Sequence, residues 1–153
     1  MRLDTVTYPD PAVQDYITRY LVPYEASMGD RNSWPYFRDN HIIWTPSIGV
    51  ADRNGNRHYQ SPGFLPPSDF LSALKIGRAR CLMAWTRSTE AQKELESAAA
   101  DDNSMAAEAL FWLSVAYFLE RRDNTRMYET WEKLSKLYPD SPWAKRTYQK
   151  EDR

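Results

Sequence analysis

Few side chains in this sequence are of types that do chemistry. Its single cysteine, Cys81, stands in RARCLMAW among apolar neighbours on a predicted helix. A thiol attacks only as the thiolate, which needs a cationic and partly exposed setting, so Cys81 reads as a packed small residue. His41 and His58 are the only histidines. They fall on neighbouring predicted strands with no third ligand at zinc-like spacing, and read as strand or surface residues. Asp101 and Asp102 are a carboxylate pair of the kind that can divide acid and base roles. They precede Asn103-Ser104 and the run MAAEALFWLSVAYF, which makes helix capping the simpler assignment. RRDNTR, Arg121 to Arg126, reads as a solvated turn between helices, and no glycine-rich phosphate loop occurs. The sequence thus assigns no catalytic residue, no metal site and no cofactor.

Aromatic residues are the richer signal, with six Trp and ten Tyr. Trp112, Tyr117, Trp131 and Tyr138 recur at helical spacing and are expected inside a helix pair in which Trp112 and Trp131 meet. WPYF, Trp34 to Phe37, lies instead in the turn-rich stretch SMGDRNSWPYFRDN, where packing and peptide binding both remain open.

The elements that must position these residues change character near Pro66. Asp10-Pro11 supplies an N-cap and a first helical residue, and Val13, Ile17 and Tyr20 continue one face, predicting a helix from Pro11 to Tyr20. LVPYEA reads as a short strand, although Pro23 must sit where its missing N–H is not needed. IIWTPSIGVAD and RHYQS flank Arg53-Asn54-Gly55-Asn56, whose Asn-Gly pair predicts a β-hairpin because both residues tolerate positive φ. From Ser68, expected as an N-cap, only helical patterns follow, and the helical array is expected to run to Lys150. Ser114 follows Ala79 by 35 residues and Leu134 follows Ala98 by 36. That period is close to the roughly 34 residues of a tetratricopeptide repeat, in which antiparallel helices interlock through small residues. In LYPDSPWA, Pro139 ends one helix and Pro142 opens a capping helix.

Composition bounds the function. At 153 residues and 42% apolar content the chain can bury one proper core or two small ones. Twenty basic against 21 acidic side chains give a net charge of −1, which offers no positive field for nucleic acid or anionic lipid. No apolar run approaches the roughly 20 residues of a spanning helix, and MRLDTVTYPD lacks a signal-like apolar core. These features place the chain in the cytoplasm, away from membrane and nucleic acid, and one cysteine fits a reducing compartment.

Thr45-Pro46 at the head of a predicted strand, followed by an Asp-x-Asn-Gly hairpin, Gly63 and an amphipathic helix, resembles the second half of a thioredoxin fold. The start is similar too, to the segment that follows Cys-x-x-Cys in that family, through Thr7, Asp10, Pro11, Val13, Leu21, Val22 and Pro23. Bacterial members with a tetratricopeptide-like tail resemble the end, through Trp131, Leu134, Tyr138, Pro139, Ser141, Trp143, Ala144, Lys145 and Arg146. The resemblance implies an incomplete α/β thioredoxin-like domain over 1–76 and an all-α tetratricopeptide-like region over 77–153. It also implies a cis Thr45-Pro46 bond facing a groove for an extended peptide, with Trp34, Tyr36 and Phe37 beside it. The family's two redox cysteines would lie just before Met1, so the expected activity is peptide or protein binding without dithiol turnover. The alternative is a thiol–disulfide oxidoreductase in cell redox homeostasis whose Cys-x-x-Cys lies upstream and is lost by a late start. A sheet lacking its middle strand is also expected to self-associate through the unfilled slot.

Overall fold

The computed structural model describes residues 2–147, which are mostly helical with one small antiparallel sheet. Leu3–Thr7 forms a π-helical turn that buries Leu3 and Thr7, and Thr7 Oγ1 donates to the Leu65 carbonyl at 2.8 Å. Helix α1, Pro11–Tyr20, starts as the sequence predicts, because the Asp10 carboxylate accepts from the N–H groups of Ala12 and Val13 at 2.9 and 3.1 Å. It buries Val13 and Tyr16. The Tyr16 hydroxyl donates to Glu94 at 2.5 Å, Arg78 also binds Glu94, and the Arg78 guanidinium lies 4.5 Å from the Tyr20 ring centre. Burial first, and the Glu94 carboxylate second, hold the Tyr16 hydroxyl well above its ordinary pKa, so it stays a donor at every working pH.

Residues 21–27 form no strand, contrary to the expectation for LVPYEA. Among the described residues the sheet contains two strands only, so nothing lies beside the segment to pair with it, and Pro23 has no N–H to contribute. A short helix, α2, Trp34–Asp39, follows one 3₁₀ turn at Arg31–Ser33. Strands β1, Ser47–Ala51, and β2, Arg57–Pro62, then make the predicted hairpin. Its turn is built by Asp52, whose carboxylate accepts from the N–H groups of Asn54 and Asn56 at 2.9 and 3.0 Å, while Gly55 takes φ of +83°.

The same carboxylate reaches outward to Asn56 Nδ2 at 3.1 Å, Trp85 Nε1 at 3.3 Å and His58 Nε2 at 3.0 Å. It therefore fastens the turn to the end of the next helix. The His58 contact above all holds the Asp52 carboxyl well below the ordinary carboxylate range. A carboxyl depressed in the folded state contributes stability that is complete above the unfolded pKa, about 4, and is lost as pH falls through the folded value. Melting temperature should therefore fall in acid, and Asp52→Asn should lower it at pH 7 and flatten its decline below about pH 4. Parallel acid limbs for the two proteins, measured by circular dichroism, would refute the assignment.

Four helices complete the chain: α3, Pro67–Ala84; α4, Ser88–Ala100; α5, Ala106–Arg121; and α6, Asn124–Leu137. Each packs on the next, and α3 also touches α5. Ala79, Ala91, Leu95, Ala98 and Leu134 are fully buried, as the repeat pattern expects of small and apolar interlocking residues. Helix α3 begins at Pro67 without a side-chain cap, and Ser68, expected to cap it, binds Asp69 instead. Trp112 and Trp131 do not meet. The Trp131 indole donates to Ser114 Oγ at 2.8 Å, whereas Trp112, two positions and so about 200° around α5, turns to Phe111 and Trp143 at 5.5 and 6.3 Å. The expected capping helix after Pro142 is a single 3₁₀ turn, Ala144–Arg146, and the tail expected to continue to Lys150 lies outside the described residues beyond 147.

Helix α3 spans residues 76 and 77, and the hairpin sits directly on its backbone. A Cβ placed at Gly77 would meet Val50 Cγ2 at 2.5 Å and Val50 Cβ at 2.7 Å. Ile48, Val50 and Tyr59 on the hairpin share one continuous buried cluster with Ile76, Leu95, Leu110 and Leu134.

Candidate functional site

The free edge of β1 is set by hydrogen-bond parity. Gly63 N–H donates to the Pro46 carbonyl at 2.8 Å, which makes Pro46 and Gly63 a hydrogen-bonded pair, and Pro46 supplies only its acceptor half. Alternation then bonds Ile48 to Ser61 and Val50 to Tyr59, and turns the N–H and C=O groups of Ser47 and Gly49 outward. No backbone of the described residues meets those outward groups. Ile48 and Val50 are buried on the α3 side, while Gly49 lies open on the other face.

Exposed apolar side chains are concentrated in the segment that leads into this strand. Of the thirteen large hydrophobic residues exposed among those described, eight lie between Tyr20 and Trp44. Val22 is 95% exposed and Ile43 91%, with Trp44 at 67% and Trp34 at 63%, values that pay no part of a core. Several of the eight are linked to one another. Trp34 Nε1 donates to the Met28 carbonyl at 3.3 Å, Thr45 Oγ1 lies 3.5 Å from the Met28 sulfur, and the Tyr24 and Tyr36 rings stand 5.1 Å apart. Phe37, half-buried, meets Tyr36 edge-on at 6.3 Å. Thr45 and Pro46 are half-buried and joined by a cis bond.

Thr45, Pro46, Trp34, Tyr36 and Phe37 thus stand in one neighbourhood, reached through Met28 and Tyr24. Sequence reasoning missed Val22, Tyr24, Met28, Ile43 and Trp44. Ile43 and Trp44 were legible as an apolar run, but such a run reads as strand interior, and no strand pairs with it among the described residues. No family model, curated protein or solved structure matches the chain. What the site can do therefore rests on its own geometry.

The side chains of types that could do chemistry are otherwise engaged. Burial pushes the Cys81 thiol up to about 11, so at neutral pH it is a thiol and not a nucleophile. His58 is held by Asp52, and His41 lies just beyond α2 with φ of +53° rather than on a strand. No group of three or more potential metal ligands occurs among the described residues. Asp101, read as a cap, instead accepts from Ser72 Oγ at 3.1 Å and Lys75 Nζ at 3.2 Å, tying α4 to α3, while Asn103 Oδ1 accepts from Met105 N–H at 2.9 Å. Among the described residues no helix is long and apolar enough to cross a membrane.

Proposed function

We propose that the chain is a peptide-binding module, a thioredoxin-like unit carrying a tetratricopeptide-like helical region, that holds an extended segment of a partner protein along the outer edge of β1. The observation that carries this is the coincidence of an unpaired strand edge at Ser47 and Gly49 with a run of exposed apolar residues leading into it, Ile43 and Trp44 next to the linked set of Met28, Trp34, Tyr24 and Tyr36 in sequence. An added strand takes main-chain hydrogen bonds from the edge, and alternate side chains take their specificity from the aromatic surface beside it. Neither half suffices alone: an edge without a surface is unselective, and a surface without an edge does not fix direction. The chain's own thiol takes no part, so no redox turnover is assigned to these residues.

The test is selection of random displayed peptides on the full chain. Retained peptides should lose affinity about tenfold or more on Trp34→Ala and on Trp44→Ala, the size usual for aromatic anchors. Hydrogen exchange should show the Ser47 and Gly49 amides fast in the free chain and slowed on binding, with Ile48 and Val50 slow throughout. Peptides that bind the two variants as well as the parent, or leave Ser47 and Gly49 exchange unchanged, would exclude the reading. So would self-association of the free chain abolished by Trp44→Ala, since a second copy would then occupy the edge.

A further inference from the structure

A second concave surface lies between the segment after α2, strand β2 and helix α3. It is a shallow, open groove of about 590 Å³, lined by Asp39, His41, Arg57, His58, Gln60 and Arg80, among others. For a chain of net charge −1 this is a local concentration of cationic groups. The one carboxylate in the lining, Asp39, is already bound by Arg38 Nε at 2.8 Å.

The two guanidiniums are only partly used. Arg57 Nη1 donates to the Asn40 carbonyl at 2.7 Å and to Gln60 Oε1, which fixes the side chain across the open face of Gly49 and leaves Nε and Nη2 unspent among the described residues. Arg80 lies over the Trp112 ring, 4.4 Å from its centre, with no hydrogen bond or ion pair to a described residue. The carboxyl nearest it in effect is Glu108, which accepts from the Trp112 indole at 3.3 Å and whose pKa burial raises. Both arginines are half-buried, so their orientation is set by the protein and little rotamer freedom remains to be lost on binding.

We propose that this groove is a carboxylate-binding site, with the free donors of Arg57 and Arg80 forming charge-assisted hydrogen bonds to the ligand and His41 at its rim. Two guanidinium forks suit a planar carboxylate, and stacking on Trp112 holds one of them in place without neutralising it. The site stands apart from the peptide reading. Only Ile42 separates His41 at its rim from the exposed Ile43 and Trp44, however, so the carboxylate has two sources: a free carboxylic acid, or an acidic side chain of a peptide held on β1.

Titration of the full chain with succinate tests it, followed through the His41 and His58 ring proton resonances. Both should shift saturably, and the affinity should fall tenfold or more in Arg80→Gln and in Arg57→Gln. Circular dichroism confirms that each variant folds, and Arg80→Lys, which keeps the charge but loses the fork, should bind with intermediate strength. Trp34→Ala should leave succinate binding unchanged, which separates this site from the peptide site. Selected peptides that carry Asp or Glu at a fixed offset, and lose that preference in Arg80→Gln, identify the source as the peptide. Succinate binding without such a preference identifies a free acid. Shifts that never saturate, or that are equal in both Gln variants and the parent, overturn the proposal. Tighter binding of inorganic phosphate than of succinate overturns the assignment to a carboxylate.

Discussion

Gly77→Ala should lower the stability of the chain by about 2 kcal/mol, although alanine is the better helix former. Exchange of glycine for alanine inside a helix is ordinarily worth about 1 kcal/mol in favour of the folded state. Here the new methyl would stand 2.5 Å from Val50 Cγ2 and 3.0 Å from Tyr59 Cβ, and neither is the free end of a flexible chain. The hairpin must move off α3, an overpacking cost of about 3 kcal/mol at the upper end of the usual range. The net loss corresponds to a fall of about 4–8 °C in melting temperature for a domain of this size. Val50→Ala removes Cγ2, the closer of the two Val50 atoms in conflict, while its Cβ at 2.7 Å stays, so the double variant Gly77→Ala/Val50→Ala should recover part of the loss and be more stable than the sum of the single changes predicts. Strict additivity in urea unfolding would mean that the hairpin does not rest on Gly77.

Leu95→Ala should cost more, about 3–4 kcal/mol, because Leu95 has no exposed surface and lies where α4 is covered by both α3 and α5. Two helices that also pack on each other cannot both collapse into the cavity, which keeps the cost toward the upper part of the range for such truncations. The loss should appear at a single midpoint whether unfolding is followed by tryptophan fluorescence or by helical circular dichroism. The buried cluster runs unbroken from Leu3 through the hairpin residues Ile48 and Val50 to Ala144, so no part has a core of its own to retain. Two separated transitions would contradict this.

What the sequence discloses divides along the range of the interactions. Asp10 caps α1 through its own next neighbours, Asn54-Gly55 turns the hairpin within four residues, and the Arg121–Arg126 turn is closed by Asp123 accepting from Arg126 N–H at 3.0 Å. Each is decided locally and each was legible. The partner of Trp131 was misjudged: the repeat pattern pointed to Trp112, whereas the indole reaches Ser114, two positions away on α5. LVPYEA misled because strand propensity measures fit to a neighbouring sheet, and here no neighbour is present. The exposure of Ile43 and Trp44 was hidden for the same reason. Gly77 and Lys75 carry no local signal at all: one is a helix breaker tolerated for a contact 27 residues away, the other a lysine buried by Ser97 and Asp101. The cationic groove joins Arg57 to Arg80 only once β2 has docked on α3.

Dependence of the hairpin on Gly77 also imposes an order of events during synthesis. Ile48, Val50 and Tyr59 leave the ribosome before the helix that covers them has emerged. Tyr59 precedes Gly77 by 18 residues, a delay of about 1–4 s at ordinary elongation rates. A hairpin of two strands has marginal stability by itself, so for that interval the nascent chain presents an uncovered apolar ribbon, next to the Ile43-Trp44 strip that the finished fold never covers. Factors that attend emerging chains therefore meet residues 43–59 uncovered, before the helix that packs on them has emerged.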